Sequence, residues 1–172
     1  MSAEPVLSIS YIIFVLLMIT CYCHTQEERT SCPEILNYIK QNLPLKGVLK
    51  YSSGFFYVDL TDDYIHKLSP FIQKEGFVSP PYFGTYDAVG AHITVFYPDE
   101  VLKFGVEKID ECGEIVEFTP IKCQVVHPPT WEEIDEVYFI VVEAPELNRI
   151  RDKYGLPKRE YDFHITIGVK LK

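Results

Sequence analysis

The sequence predicts an α+β domain in which duplicated strand-helix-strand units form two antiparallel or mixed sheets around a central cleft, with the helices outside. Three observations carry this expectation. Apolar runs rich in branched and aromatic residues, such as "GFFYVDL" (54–60) and "EVYFIVVEA" (136–144), alternate with segments of helical spacing. The order strand, helix, loop, strand occurs twice, over residues 55–97 and 137–169. Each unit ends in an apolar strand interrupted by a histidine and, two residues on, a threonine: "HITVFY" from His92 and "HITIGV" from His164.

The elements follow in chain order. "SCPEILNYIKQNL" predicts a helix, with Ser31 as its cap, Pro33 at an early helical position, and Ile35, Leu36, Ile39 and Leu43 on one face. After the loop "PLKG" comes the first strand, over 54–60. Thr61 is then expected to cap "DDYIHKLSPFIQKEG", which has acids in its first turn, Pro70 as a kink and Gly76 as a stop. The Pro, Gly and Tyr-rich stretch "SPPYFGTYDAVG" leads into strand "AHITVFYP". In the second half of the chain "GEIVEFTPIKCQVV" gives one or two strands, and 136–144 a third. "PELNRIRDKYG" is a helix from Pro145 to the stop at Gly155, and "REYDFHITIGVKL" is the final strand.

At 172 residues the chain has room for one domain with a short appendage. Three regions are expected: a signal peptide or membrane anchor (1–23), an N-terminal helical segment (24–50) and a two-lobed domain (51–172). Residues 6–23 carry no charge, and small Cys21 and Cys23 precede an abrupt change to "HTQEER". This predicts export to the secretory lumen or beyond, with membrane attachment only if the segment is an uncleaved anchor. The one charged residue of 1–23 is Glu4, so −8 of the net charge of −9 belongs to the folded part. Such acidity excludes a nonspecific grip on duplex DNA, which relies on Lys and Arg neutralising many phosphates. Of the cysteines, Cys32, Cys112 and Cys123 lie beyond residue 23. Cys112 and Cys123 flank an expected hairpin and are the first choice for a disulfide, with Cys32 able to displace either. No spacing matches a zinc site.

Residues two apart on a strand point to one face, so His92 and Thr94 share a face, as do His164 and Thr166, while Ile93, Val95, Ile165 and Ile167 point the other way. If the two faces line one cleft, two imidazoles and two hydroxyls surround a central point. A neutral imidazole can take a proton while a protonated one gives a proton to a leaving oxygen. The hydroxyls can donate to phosphate oxygens. No metal and no other cofactor is required. One His-x-Thr alone reads as a structural histidine; two copies at the same place in a repeated unit read as a site.

The twin "HITV" and "HITI" motifs resemble the two-histidine (2H) phosphoesterase superfamily, over roughly residue 54 to the end. The resemblance implies a metal-independent phosphodiesterase with His92 and His164 as acid and base and Thr94 and Thr166 on phosphate. Its substrate would be a 2',3'-cyclic phosphate, a cyclic nucleotide or a short oligonucleotide. It also implies that Tyr97 is a core aromatic. Asp99 and Glu100 after the first motif favour a short substrate, so a nucleotide or short RNA is the expected partner of a monomeric protein. Competing readings are a catalytically inactive nucleotide-binding module, a secreted interaction protein, and a ribonuclease acting through the substrate's own 2'-hydroxyl. Around the motifs, Lys170 shares strand parity with His164 and either reaches phosphate or is a solvated lysine. Tyr82 and Phe83 either stack on a base or pack their loop. Gly168 makes room for substrate or marks a bulge.

Overall fold

The computed structural model describes residues 31–52, 54–81, 83 and 88–172. The expected signal or anchor segment and Tyr82 lie outside the described residues. Helix α1 (Cys32–Asn42) leads into strands β1 (Lys46–Ser52) and β2 (Phe55–Asp59). Short helices α2 (Asp63–His66) and α3 (Ser69–Ile72), and a 3-10 turn (Gln73–Glu75), precede β3 (His92–Phe96) and α4 (Pro98–Phe104). Strands β4 (Ile115–Glu117), β5 (Thr119–Val126) and β6 (Ile134–Glu143), helix α5 (Pro145–Lys153) and strand β7 (His164–Leu171) complete the chain.

The α+β class is as expected, but the strands form one seven-stranded sheet, in the order β4-β1-β2-β3-β7-β6-β5, rather than two. Every pairing in it is antiparallel. The two motif strands lie edge to edge and bond to each other, which carries the sheet across the seam. That seam is narrow: β3 and β7 share the single registered pair Ile93↔Ile165.

Local chemistry explains most boundaries. Pro33, Pro70, Pro98 and Pro145 each sit in the first turn of a helix, where a missing N–H leaves no bond unmade. Pro70 thus starts α3, so the single helix expected after Thr61 is two. Gly76, at φ 87°, closes the turn that follows. Ser31 occupies the N-cap position of α1 as expected, but its side chain makes no cap bond: its backbone is already helical, and its hydroxyl donates to Glu75 Oε1 at 2.8 Å. Strand β1 begins within the expected "PLKG" loop and runs on through residues assigned to no element, because "KGVLKYS" buries only Leu49 fully and its lysines and glycine hide the alternation.

Two further expectations are corrected. Strands β4 and β5 are adjacent in sequence yet sit on opposite edges of the sheet, so they form no hairpin. The disulfide accordingly joins Cys32 to Cys123, with Cα atoms 5.6 Å apart, and fastens α1 to edge strand β5; Cys112 is free and exposed.

Both motif strands carry a β-bulge at the same motif position. On β2 the neighbours Phe56 and Tyr57 oppose Phe96 and Thr94, so Val95 is an extra residue. On β6 the neighbours Tyr138 and Phe139 oppose Gly168 and Thr166, so Ile167 is extra. Each bulge follows the motif threonine and reverses the side-chain alternation beyond it. Ile93, Val95, Ile165 and Ile167 are all 0% exposed in a core with Ile35 and Ile39 of α1, Tyr64 and Ile65 of α2, Ile72 of α3 and Leu147 and Ile150 of α5. Burying each such side chain contributes about 1.5–3 kcal/mol.

One charge is buried with them. Arg151 of α5, 2% exposed, donates to the bulge carbonyl of Val95 at 2.7 Å, to both carboxylate oxygens of Glu100 at 2.9 and 2.6 Å, and to the Pro157 carbonyl at 2.9 Å. Burial pushes the Glu100 carboxyl up, but the bonds from Arg151 and the Tyr97 N–H, with the Arg159 charge, hold it below the usual range. Arg151→Ala leaves the Val95 carbonyl buried and the Glu100 carboxylate part-buried without the guanidinium that binds both. It is expected to cost about 3–5 kcal/mol, read as a lowered urea midpoint; a loss under about 1 kcal/mol would remove Arg151 from this structural role.

Candidate active site

The antiparallel register around Ile93↔Ile165 sets His92 beside Thr166 and Thr94 beside His164 on the face opposite the two isoleucines. The outer strands add to this face. Asp59 and Tyr57 of β2 pair with His92 and Thr94, and Val141 and Phe139 of β6 pair with His164 and Thr166. All four motif side chains are half-buried, reachable from solvent yet partly stripped of it.

The two imidazoles are held alike. His92 Nδ1 lies 2.7 Å from the Gly90 carbonyl, and His164 Nδ1 lies 3.0 Å from the Asp162 carbonyl, in each case two residues back. A carbonyl oxygen only accepts, so Nδ1 carries the hydrogen in both rings and Nε2 is left for chemistry. Phe55 and Tyr57, stacked with ring centroids 4.9 Å apart, each make a T-shaped contact with His92 at a centroid distance of 5.8 Å, while the Phe139 ring centroid lies 4.6 Å from that of His164.

Gly90 leaves room for the Asp62 side chain. A Cβ there would collide with the Asp62 carboxylate, which accepts the Ala91 N–H at 3.0 Å and braces the turn whose carbonyl orients His92.

Burial lowers the pKa of both histidines, but their charged neighbours differ. For His92 the Gly90 bond and the Asp59 charge oppose that lowering. For His164 the Asp162 bond and charge oppose it, while Arg159 and His92 push the value further down. His92 thus lies close enough for its charge to bear on the His164 ring.

The remaining expected site residues fare differently. Past the Ile167 bulge the alternation is reversed, so Gly168 faces the helix layer, where a Cβ would press on the Ile72 side chain and the Val78 carbonyl. Lys170 follows it to that side, 3.6 Å from Glu136, and is not brought to the histidines. Phe83 packs against the core with its ring 4.9 Å from His66. Tyr97 is not a core aromatic: past the Val95 bulge it turns to the histidine face, 36% exposed, with its hydroxyl 3.2 Å from Arg159. Sequence reasoning missed Gly90, Asp59, Phe139 and Arg159. Only the strand parity of Asp59 and Phe139 could have pointed to any of them.

Among the described residues no group of His, Cys, Asp and Glu has the arrangement of a metal site. Comparison with known families gives one result: the family model described as "Swiss Army Knife, 2H phosphoesterase domain" (2H-SAK) matches residues 56–172. No curated protein and no solved structure matches the chain.

With both pKa values lowered, each imidazole is neutral at pH 7 and takes its proton only below about 6.5, the ordinary histidine value. Nitrogen-15 NMR is expected to show two Nδ1–H tautomers titrating in that acid range. An Nε2–H tautomer, or a midpoint above about 6.5, would contradict the arrangement.

Proposed function

The chain belongs to the Swiss Army Knife 2H phosphoesterase domain family, and on that premise we propose that it is a metal-independent phosphodiesterase whose duplicated units supply two histidines as general acid and base. Membership alone assigns it to phosphoric ester hydrolysis; the reaction type, substrate and residue roles are our reading. The observation that carries it is the matched pair of Nδ1–H bonds to the carbonyls two residues back, which frees both Nε2 atoms on a face that also bears two hydroxyls.

The neighbours of the two rings decide the division of labour. Each ring has a carboxylate that favours its charged form, Asp59 for His92 and Asp162 for His164, but only His164 also faces the Arg159 guanidinium, so we assign a single shared proton to His92. His164 is therefore the base and His92 the acid. Water attacks phosphorus and gives a proton to His164 Nε2; the P–O bond to the leaving oxygen breaks, and that oxygen takes the proton from His92 Nε2. The products are an alcohol and a phosphate monoester, and solvent exchange resets both rings. Thr94 and Thr166 donate to the nonbridging oxygens as their charge grows. The substrate is a 2',3'-cyclic phosphate, a cyclic nucleotide or a short oligonucleotide. The Cys32–Cys123 disulfide supports work in the secretory lumen or outside the cell, because such bonds persist in oxidising compartments.

His92→Ala and His164→Ala are each expected to lower kcat on a nucleoside 2',3'-cyclic phosphate by on the order of a hundredfold or more, with activity unchanged by EDTA. A diester with a p-nitrophenol leaving group needs no acid, so it should restore turnover to His92→Ala but not to His164→Ala. Rescue of His164→Ala instead would reverse the roles, and full activity of both variants would end the two-histidine reading.

The pH dependence follows from the signs. A base and an acid that both titrate below the ordinary value give a bell in kcat/KM with its maximum on the acid side of about pH 6.5. An optimum above about pH 8 would show that neither histidine controls the rate.

A further inference from the structure

The two motif strands share one registered pair, Ile93↔Ile165, so the sheet ladder barely fixes how far apart and at what angle the two histidines stand. A side chain from the loop between α5 and β7 spans this gap. Arg159 Nη1 donates to the Thr94 carbonyl at 2.7 Å and lies 3.4 Å from the Val95 carbonyl, its Nη2 lies 3.2 Å from the Tyr97 hydroxyl, and its Nε donates to the Tyr161 carbonyl at 3.1 Å. The guanidinium also sits over the Phe163 ring at 4.5 Å and the Tyr97 ring at 5.2 Å.

We propose that Arg159 is a positioning residue that sets the spacing and alignment of the two histidine strands across their seam. Its contacts form a continuous mechanical path. At one end they hold the backbone of Thr94 and the bulge residue Val95. At the other they hold Tyr161 and Phe163, the residues on either side of Asp162, whose carbonyl fixes the His164 tautomer. The shape of the side chain matters: a planar fork reaches two carbonyls and a hydroxyl while stacking on two rings, and a lysine ammonium can do neither together. These donors are committed to the protein's own oxygens, so Arg159 acts on substrate through the histidines.

Arg159→Ala and Arg159→Lys in the full chain test this by two readouts. In NMR titration the charged groups around His164 are Arg159, His92 and Asp162, with Lys122 3.9 Å from Asp162. Removing the Arg159 charge raises the His164 midpoint in Arg159→Ala, while Arg159→Lys retains a cation and keeps it low. On a p-nitrophenyl nucleotide diester both variants lose roughly ten- to a hundredfold in kcat, as expected of a small misalignment, with KM changed less than about threefold. A wild-type kcat in either variant, or an unmoved His164 midpoint in Arg159→Ala, would overturn the proposal. If Arg159→Ala unfolds, kcat of Arg159→Lys decides. The kinetic arm rests on the phosphodiesterase reading and the titration does not. Absence of diester turnover in the wild-type protein would therefore refute that reading, and the titration would still decide the role of Arg159.

Discussion

Everything about this site depends on the antiparallel contact of β3 with β7 at Ile93 and Ile165. Once those two isoleucines are paired and buried, with Val95 and Ile167 beside them, strand geometry leaves the histidines and threonines no choice of face. The core thereby selects the site: the free energy that buries four apolar fillers also gathers two imidazoles and two hydroxyls at one place. A register slip of one residue would drive the histidines into the helix layer, where burial without partners is costly.

The same contact creates a weakness that the two arginines offset. A bulge at Val95 leaves carbonyls outside the regular ladder, and the seam has little pairing to replace it. Arg151 from α5 and Arg159 from the following loop both reach this backbone, one from within the core and one from the histidine face. Unequal charge around the two rings follows from this placement. The guanidinium that aligns His164 also disfavours its protonation, while His92 keeps Asp59 across the strand pair. A symmetric motif is thus set in an asymmetric field, which suits it to moving a proton in one direction.

The sequence was informative up to the motif threonines and misleading just beyond them. Strict alternation placed His92, Thr94, His164 and Thr166 on one side and their apolar neighbours on the other, as the structure has them. Alternation fails at Val95 and Ile167: nothing in "HITV" announces an extra residue, Gly168 after "HITI" offered a bulge as one of its two readings, and Tyr97, Gly168 and Lys170 lie on the face opposite to their simple parity for that one reason. Pairing between distant elements was the other blind spot. Neighbours in sequence suggested Cys112 with Cys123, whereas strand order sends β4 and β5 to opposite edges and brings Cys32 to Cys123. Arg159 was invisible for a related reason: its role comes from a loop meeting a strand about 65 residues earlier, a relation no local pattern records.

The central claim is that two imidazoles serve one phosphorus atom, and the most direct measurement is a nitrogen-15 NMR titration with a nucleoside 2',3'-cyclic vanadate, which mimics the five-coordinate transition state. Both Nε2 resonances should shift together along one saturation curve, with both Nδ1–H signals retained. A response at only one histidine, or two curves with separate dissociation constants, would contradict the claim.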